Sequence, residues 1–217
     1  NITTLGNNLF VNSNLILTAG KLAISTATLS VKGGITNTVT GGIRGSSVSN
    51  LIFNGTVSPM LSMDQTTAGT TNALSTLQIN SSGQVVTMGN DLVVTASTFT
   101  AGKLAINGNT LTLKGLVTNT VAGGIRAGNT SRMINNGTVS PTLSFDQTTP
   151  GTTNVILNMT INSASQTVTL ANALRLVGTH TPTAGVFASG GNYTIASTAS
   201  GTSNIAAGVT GGGYITG

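Results

Sequence analysis

Cysteine and tryptophan are absent from the 217 residues, and acidic residues nearly so: Asp64, Asp91 and Asp146 are the only three. Without Cys, neither a disulfide framework nor a thiolate-ligated metal can hold the fold, so stability rests on packing and backbone hydrogen bonds. Only 5% of residues are charged and 3% aromatic, yet 38% are hydrophobic. A disordered chain shows the opposite balance, high charge with low hydrophobicity. No apolar run approaches the roughly 20 residues of a membrane-spanning helix. Good helix formers are scarce beside abundant Thr, Val and Ile, which points to an all-β chain.

The eight basic residues, Lys21, Lys32, Arg44, Lys103, Lys114, Arg126, Arg132 and Arg175, are scattered along the chain. Nucleic-acid readers cluster such residues and interleave stacking aromatics, so no nucleic-acid partner is expected. The net charge of +5 reflects the shortage of acids. It favours attraction to anionic surfaces without naming one.

What the chain does have is repetition. Gly20-Lys21-Leu22-Ala23-Ile24 returns as Gly102 to Ile106, Gly41-Gly42-Ile43-Arg44 as Gly123 to Arg126, and Asn54 to Pro59 as Asn136 to Pro141. Asp64-Gln65-Thr66-Thr67 returns as Asp146 to Thr149, so the long period is about 82 residues. A single array over 1–217 follows, with 1–19 a partial repeat, 20–101 and 102–184 full repeats, and 185–217 a degenerate partial one. A finer period of 27 or 28 residues runs through Ile24, Ile52, Ile79, Ile106, Ile134 and Ile161. A second apolar run follows each, as at Leu29 to Val31 and Leu111 to Leu113, and a fainter third lies around Val39, Leu92, Val121 and Leu174. Three short strands per unit predict a three-sided β-solenoid (β-helix) with coils of about 27 residues. Asn80, Asn107, Asn135 and Asn162 are expected to stack as a structural ladder at one corner, and Gly41, Gly42, Gly123 and Gly124 to supply corners with positive φ.

Chemistry is sparse. A polysaccharide-cleaving β-helix needs two neighbouring carboxylates, whereas Asp64 and Asp146 stand a full repeat apart, about 14 Å if that repeat holds three coils. Each reads better as a turn Asp bonding its own loop. His180, the single histidine, has no Cys or carboxylate cluster near it in sequence and reads as an exposed loop residue beside Pro182. The run Gly211-Gly212-Gly213 lacks the ending of a phosphate loop and reads as a turn or linker. No catalytic, cofactor-binding or metal-binding residue is expected, and the chain reads as a non-enzyme. Matched basic pairs, Lys21 with Lys103, Lys32 with Lys114 and Arg44 with Arg126, read as solubilising rows on a neutral rod ahead of a ligand-binding stripe. The pairs Thr66-Thr67, Thr70-Thr71, Thr148-Thr149 and Thr152-Thr153 leave open an ice- or carbohydrate-binding module as the alternative reading.

Blocks such as Asn109-Thr110-Leu111-Thr112-Leu113-Lys114-Gly115 and Ile134-Asn135-Asn136-Gly137-Thr138-Val139 resemble the repeat regions of large secreted bacterial adhesins. That resemblance implies an extracellular, cell-surface structural protein, with attachment or matrix building as its work and cell-surface polysaccharide as a partner. Asn1, and not Met, at the first position fits removal of an export signal or excision from a longer chain. Strand-like segments at both ends, Asn1 to Val11 and Tyr214-Ile215, lead to the expectation that the partner is another copy, stacked end to end into a fibre.

Overall fold

The computed structural model describes residues 1–38, 40–197, 202–206 and 212–217. Val39 and Gly211 lie outside the described residues. The chain winds into a β-solenoid of about nine turns, and among the described residues there is no helix and every strand pairing is parallel. Alternation drives the winding. In Asn50–Phe53, Leu51 and Phe53 point inward and are buried, while Asn50 and Ile52 face outward.

Each coil pairs with the next along a continuous column. Leu22 lies against Ile43, and Ile43 against Met63, steps of 21 and 20 residues. On the neighbouring side Leu29 pairs with Leu51, Leu51 with Leu77 and Leu77 with Ser97, steps of 22, 26 and 20 residues. The coil is therefore about 21 residues long, not 27, and the 82-residue repeat holds four coils, not three. The shorter period is hidden in the sequence because one coil in each repeat carries an extra loop, Asp64 to Asn72 or Asp146 to Asn154, that stretches its spacing. The isoleucines that suggested 27 residues also sit on different faces: Ile24 is fully buried, whereas Ile52 points outward and pairs with Gln78.

Short strands such as Ile2–Thr4, Leu9–Val11 and Leu15–Leu17 form the three sides of the first described coil, and Lys21–Ala23, Thr28–Val31 and Ile35–Asn37 lie directly above them. Longer strands, Ala73–Met88, Leu92–Ala105 and Asn158–Leu170, carry the pairing round a corner. The core is a narrow stack of Leu, Ile, Val, Met and Phe, with Phe53, Ile79 and Phe99 consecutive rungs of one column. Each fully buried side chain of this kind stabilises the fold by about 1.5–3 kcal/mol.

Corner glycines divide into two kinds. Gly41 and Gly123 adopt φ of 66° and 76°, the left-handed region where a side chain strains the backbone. Their neighbours Gly42 and Gly124, expected to share that conformation, do not. They are needed for room, because a β-carbon there would collide with the side-chain oxygen of Asn37 or Asn119.

Candidate functional site

The most elaborate chemistry in the molecule is an ion cluster that appears twice. Lys21, Arg44 and Asp64 come from three successive coils, since Leu22 pairs with Ile43 and Ile43 with Met63. The carboxylate of Asp64 is buried, with 1% of its side chain exposed. Lys21 reaches across the intervening coil and donates from Nζ to Asp64 Oδ1 at 2.5 Å and to Thr66 Oγ1 at 2.8 Å. The backbone N–H and the hydroxyl of Thr66 donate to the same Oδ1, at 2.9 and 2.5 Å. Arg44 approaches the other oxygen, Nη1 to Oδ2, at 3.5 Å.

The second copy keeps every partner. Lys103 donates to Asp146 Oδ1 and to Thr148 Oγ1, Thr148 donates from its N–H and hydroxyl to Oδ1, and Arg126 Nε donates to Oδ2 at 2.7 Å. The one difference is closure. Arg126 makes a true hydrogen bond, whereas Asp64 Oδ2 has no hydrogen-bond partner.

Burial alone would raise both carboxylate pKa values, but the donors win. Hydrogen bonds from Lys21 and Thr66 hold Asp64 below the usual carboxylate range, and those from Lys103, Thr148 and Arg126 bring Asp146 down to about 2. Both acids are therefore permanently ionised near neutral pH.

Each carboxylate also opens a compact loop. Thr71 Oγ1 donates to the Asp64 carbonyl at 2.7 Å, Gly69 N–H donates to Asn72 Oδ1, and Asn72 Nδ2 donates to Gln65 Oε1. Gln65 and Asn72 both donate to the carbonyl of Asp91, in the coil that follows. Thr153, Asn154 and Gln147 repeat this pattern, ending on the Ala173 carbonyl. The expected turn Asp is thus present, and it is also the centre of a clamp across three coils.

No protein-family model, curated protein or solved structure matches this chain.

The remaining sequence-predicted positions are placed as follows. Asp64 and Asp146 are four coils apart, about 19 Å at roughly 4.8 Å per coil, and do not form a carboxylate pair. Among the described residues no group of three or more His, Cys, Asp or Glu gathers. The four asparagines do not stack on one another. Asn80 pairs with Ala101, Asn135 with Leu113 and Ile161, and Asn162 with Ala184, while Asn107 sits in a turn with φ of 52°. The reason is again the coil length: Asn107 lies six residues beyond Ala101, the partner of Asn80 one 21-residue coil on, while across the loop-bearing coil Asn135 faces Ile161, one position short of Asn162. Of the threonine pairs, Thr71 and Thr153 are buried inside their loops, and Thr66 and Thr148 spend their hydroxyls on the carboxylates. Lys32 and Lys114 are exposed, as a solubilising row requires, but Lys21, Arg44, Lys103 and Arg126 belong to the clamps.

His180 is not in an exposed loop. It is fully buried in the strand Thr179–Ala188, which runs on through Pro182, and it faces inward opposite Met159. Its Nδ1 lies 2.9 Å from Tyr193 Oη, its ring meets Phe187 and Tyr193 edge to face, and its Nε2 has no partner. Burial pushes its pKa down to about 4 and that of Tyr193 up. A neutral histidine at physiological pH follows.

The clamp was missed in the sequence although a signal was there. The spacing Lys21 to Asp64 is 43 residues, and Lys103 to Asp146 is 43 again. Co-repetition of opposite charges at a fixed long spacing is what two coils of a solenoid produce.

Proposed function

We propose that this chain is an extracellular structural protein, a β-solenoid segment of a surface fibre or adhesin stalk that stacks end to end, with no catalytic role. The observation that carries this reading is the bond-for-bond repetition of the clamp and its loop. In both copies the chain's buried acids and many of its side-chain hydrogen bonds hold one coil to the next, which is the work of a load-bearing rod.

Two further features support it. The strand Leu9–Val11 pairs on one edge only among the described strands, which leaves backbone donors and acceptors for another coil. Outward-facing Phe10 and Ile16 beside it are largely exposed, while Ser30 and Thr36 occupy the matching positions one coil on. The partner under this reading is another copy of the chain, with cell-surface polysaccharide a second one. Gold-labelled antibody on intact producing cells and on thin sections of them tests it. Label along filaments at the cell surface is the expected result, and label confined to the cell interior would overturn it.

A further inference from the structure

The face that carries the second clamp is furrowed along the rod axis. Val85 pairs with Lys103, and two residues on Thr87 pairs with Ala105 and Ala105 with Arg126, so these side chains make a row two positions wide over successive coils. A cleft of about 360 Å³ runs from Gln84 to Thr148 on one side of this row. A second, of about 440 Å³, runs from Ser58 to Thr152 on the other. Val85 and Arg126 line both, and each cleft draws on four or more successive coils, a length on the order of 15–20 Å.

The lining is mostly apolar, with two cationic side chains set into it. Lys103 and Arg126 are in it and no acid is, because Asp146 lies buried beneath, already saturated by its donors. Arg126 engages Asp146 through Nε, so its two terminal nitrogens remain for an acceptor in the furrow, held in orientation by the clamp. Gln84 and Asn107 add amide groups along the walls.

We infer that this furrow binds a linear anionic polysaccharide, its carboxylate or sulfate groups taken by Arg126 and Lys103 and its hydroxyls by the wall amides. An elongated, straight furrow fits a linear polymer. A nucleic acid fits it less well, since no aromatic side chain lines either cleft to stack a base. The inference rests on the reading of cell-surface polysaccharide as a second partner and gives it a site and a chemical class, and its failure would leave end-to-end stacking untouched, for a rod forms with or without a glycan along it.

The test is titration of the soluble chain with alginate, a polyuronate, with neutral dextran and single-stranded DNA as comparators, at low and at physiological salt. Binding to alginate that weakens with salt, absent for dextran, is expected. Val85→Glu places a carboxylate in the centre of the furrow outside the clamp and should weaken binding at least tenfold. Gln84→Glu, at the furrow wall, should act in the same direction should Val85→Glu fail to fold, as judged by circular dichroism. Lys114→Gln, after the Thr110–Leu113 strand on another face, should leave binding unchanged. No alginate binding at low salt, an equal loss in Lys114→Gln, or DNA bound as tightly as alginate would each overturn it.

Discussion

Lys103 and Asp146 lie 43 residues apart and two coils apart, yet their side chains are in direct contact, with Arg126 from the intervening coil closing the other carboxylate oxygen. Lys21 and Asp64 repeat the relationship at the same spacing. A buried carboxylate with donors from two neighbouring coils is costly to leave half made, because removing the acid strands two cations and a threonine hydroxyl.

Asp146→Asn is therefore expected to destabilise the fold by about 1–3 kcal/mol, since the cations it leaves are a quarter to a third exposed to water. Asp64→Asn should cost less, since Arg44 stands 3.5 Å away and donates no hydrogen bond. Urea denaturation of the two variants reads the difference directly. Equal midpoints would show that the arginine contributes nothing.

Asn135 occupies the place, 82 residues on, where the first repeat has Phe53, and is 1% exposed with neither amide atom hydrogen-bonded. A buried unsatisfied amide costs about 1–3 kcal/mol. Asn135→Leu and Asn135→Phe should raise the urea midpoint, the first with less steric demand on Leu113 and Ile161. A fall in both midpoints would mean that the amide has a role in the core.

Acid should act on the fold in two stages. His180 titrates near 6.5 when unfolded but only near 4 when buried. As pH falls through 6.5 the unfolded chain gains a proton that the folded one refuses, so stability drops across the interval down to 4, by roughly 3 kcal/mol. Asp146 acts below that. Its stabilisation is present above its unfolded value of 3.8 and is lost as pH falls towards about 2. Stability measured against pH should lose its upper stage in His180→Leu and keep the lower one.

Gly123 combines a φ of 76° with an approach that would place a β-carbon 2.7 Å from the Asp146 Cα. Gly123→Ala should cost more than 1–2 kcal/mol, through strain and through displacement of the clamp. A thermal melt checks it, and an unchanged midpoint would show that the corner yields.

Much of this architecture was legible in the sequence, and the failures share one cause. The 82-residue offset and the short apolar runs gave parallel stacked coils, because like residues separated by a whole number of coils must lie above one another. The number of coils was misjudged because the loops opened by Asp64 and Asp146 lengthen one coil in four. Once the period is wrong, positions such as Asn80 and Asn107 seem to coincide when they do not. Burial of His180 was invisible for another reason: the strand passes through Pro182, a residue that usually signals a break. The clamp required joining charges 43 residues apart, which composition and local motifs do not reveal.

X-ray diffraction from an oriented preparation of the purified chain tests the central claim, end-to-end stacking of β-solenoid coils, most directly. Filaments whose diffraction shows a strong reflection near 4.8 Å along the fibre axis are the predicted result, since the coils stack in that direction. A monodisperse solution of isolated particles that form no filaments, or filaments with that spacing across the axis, would contradict it.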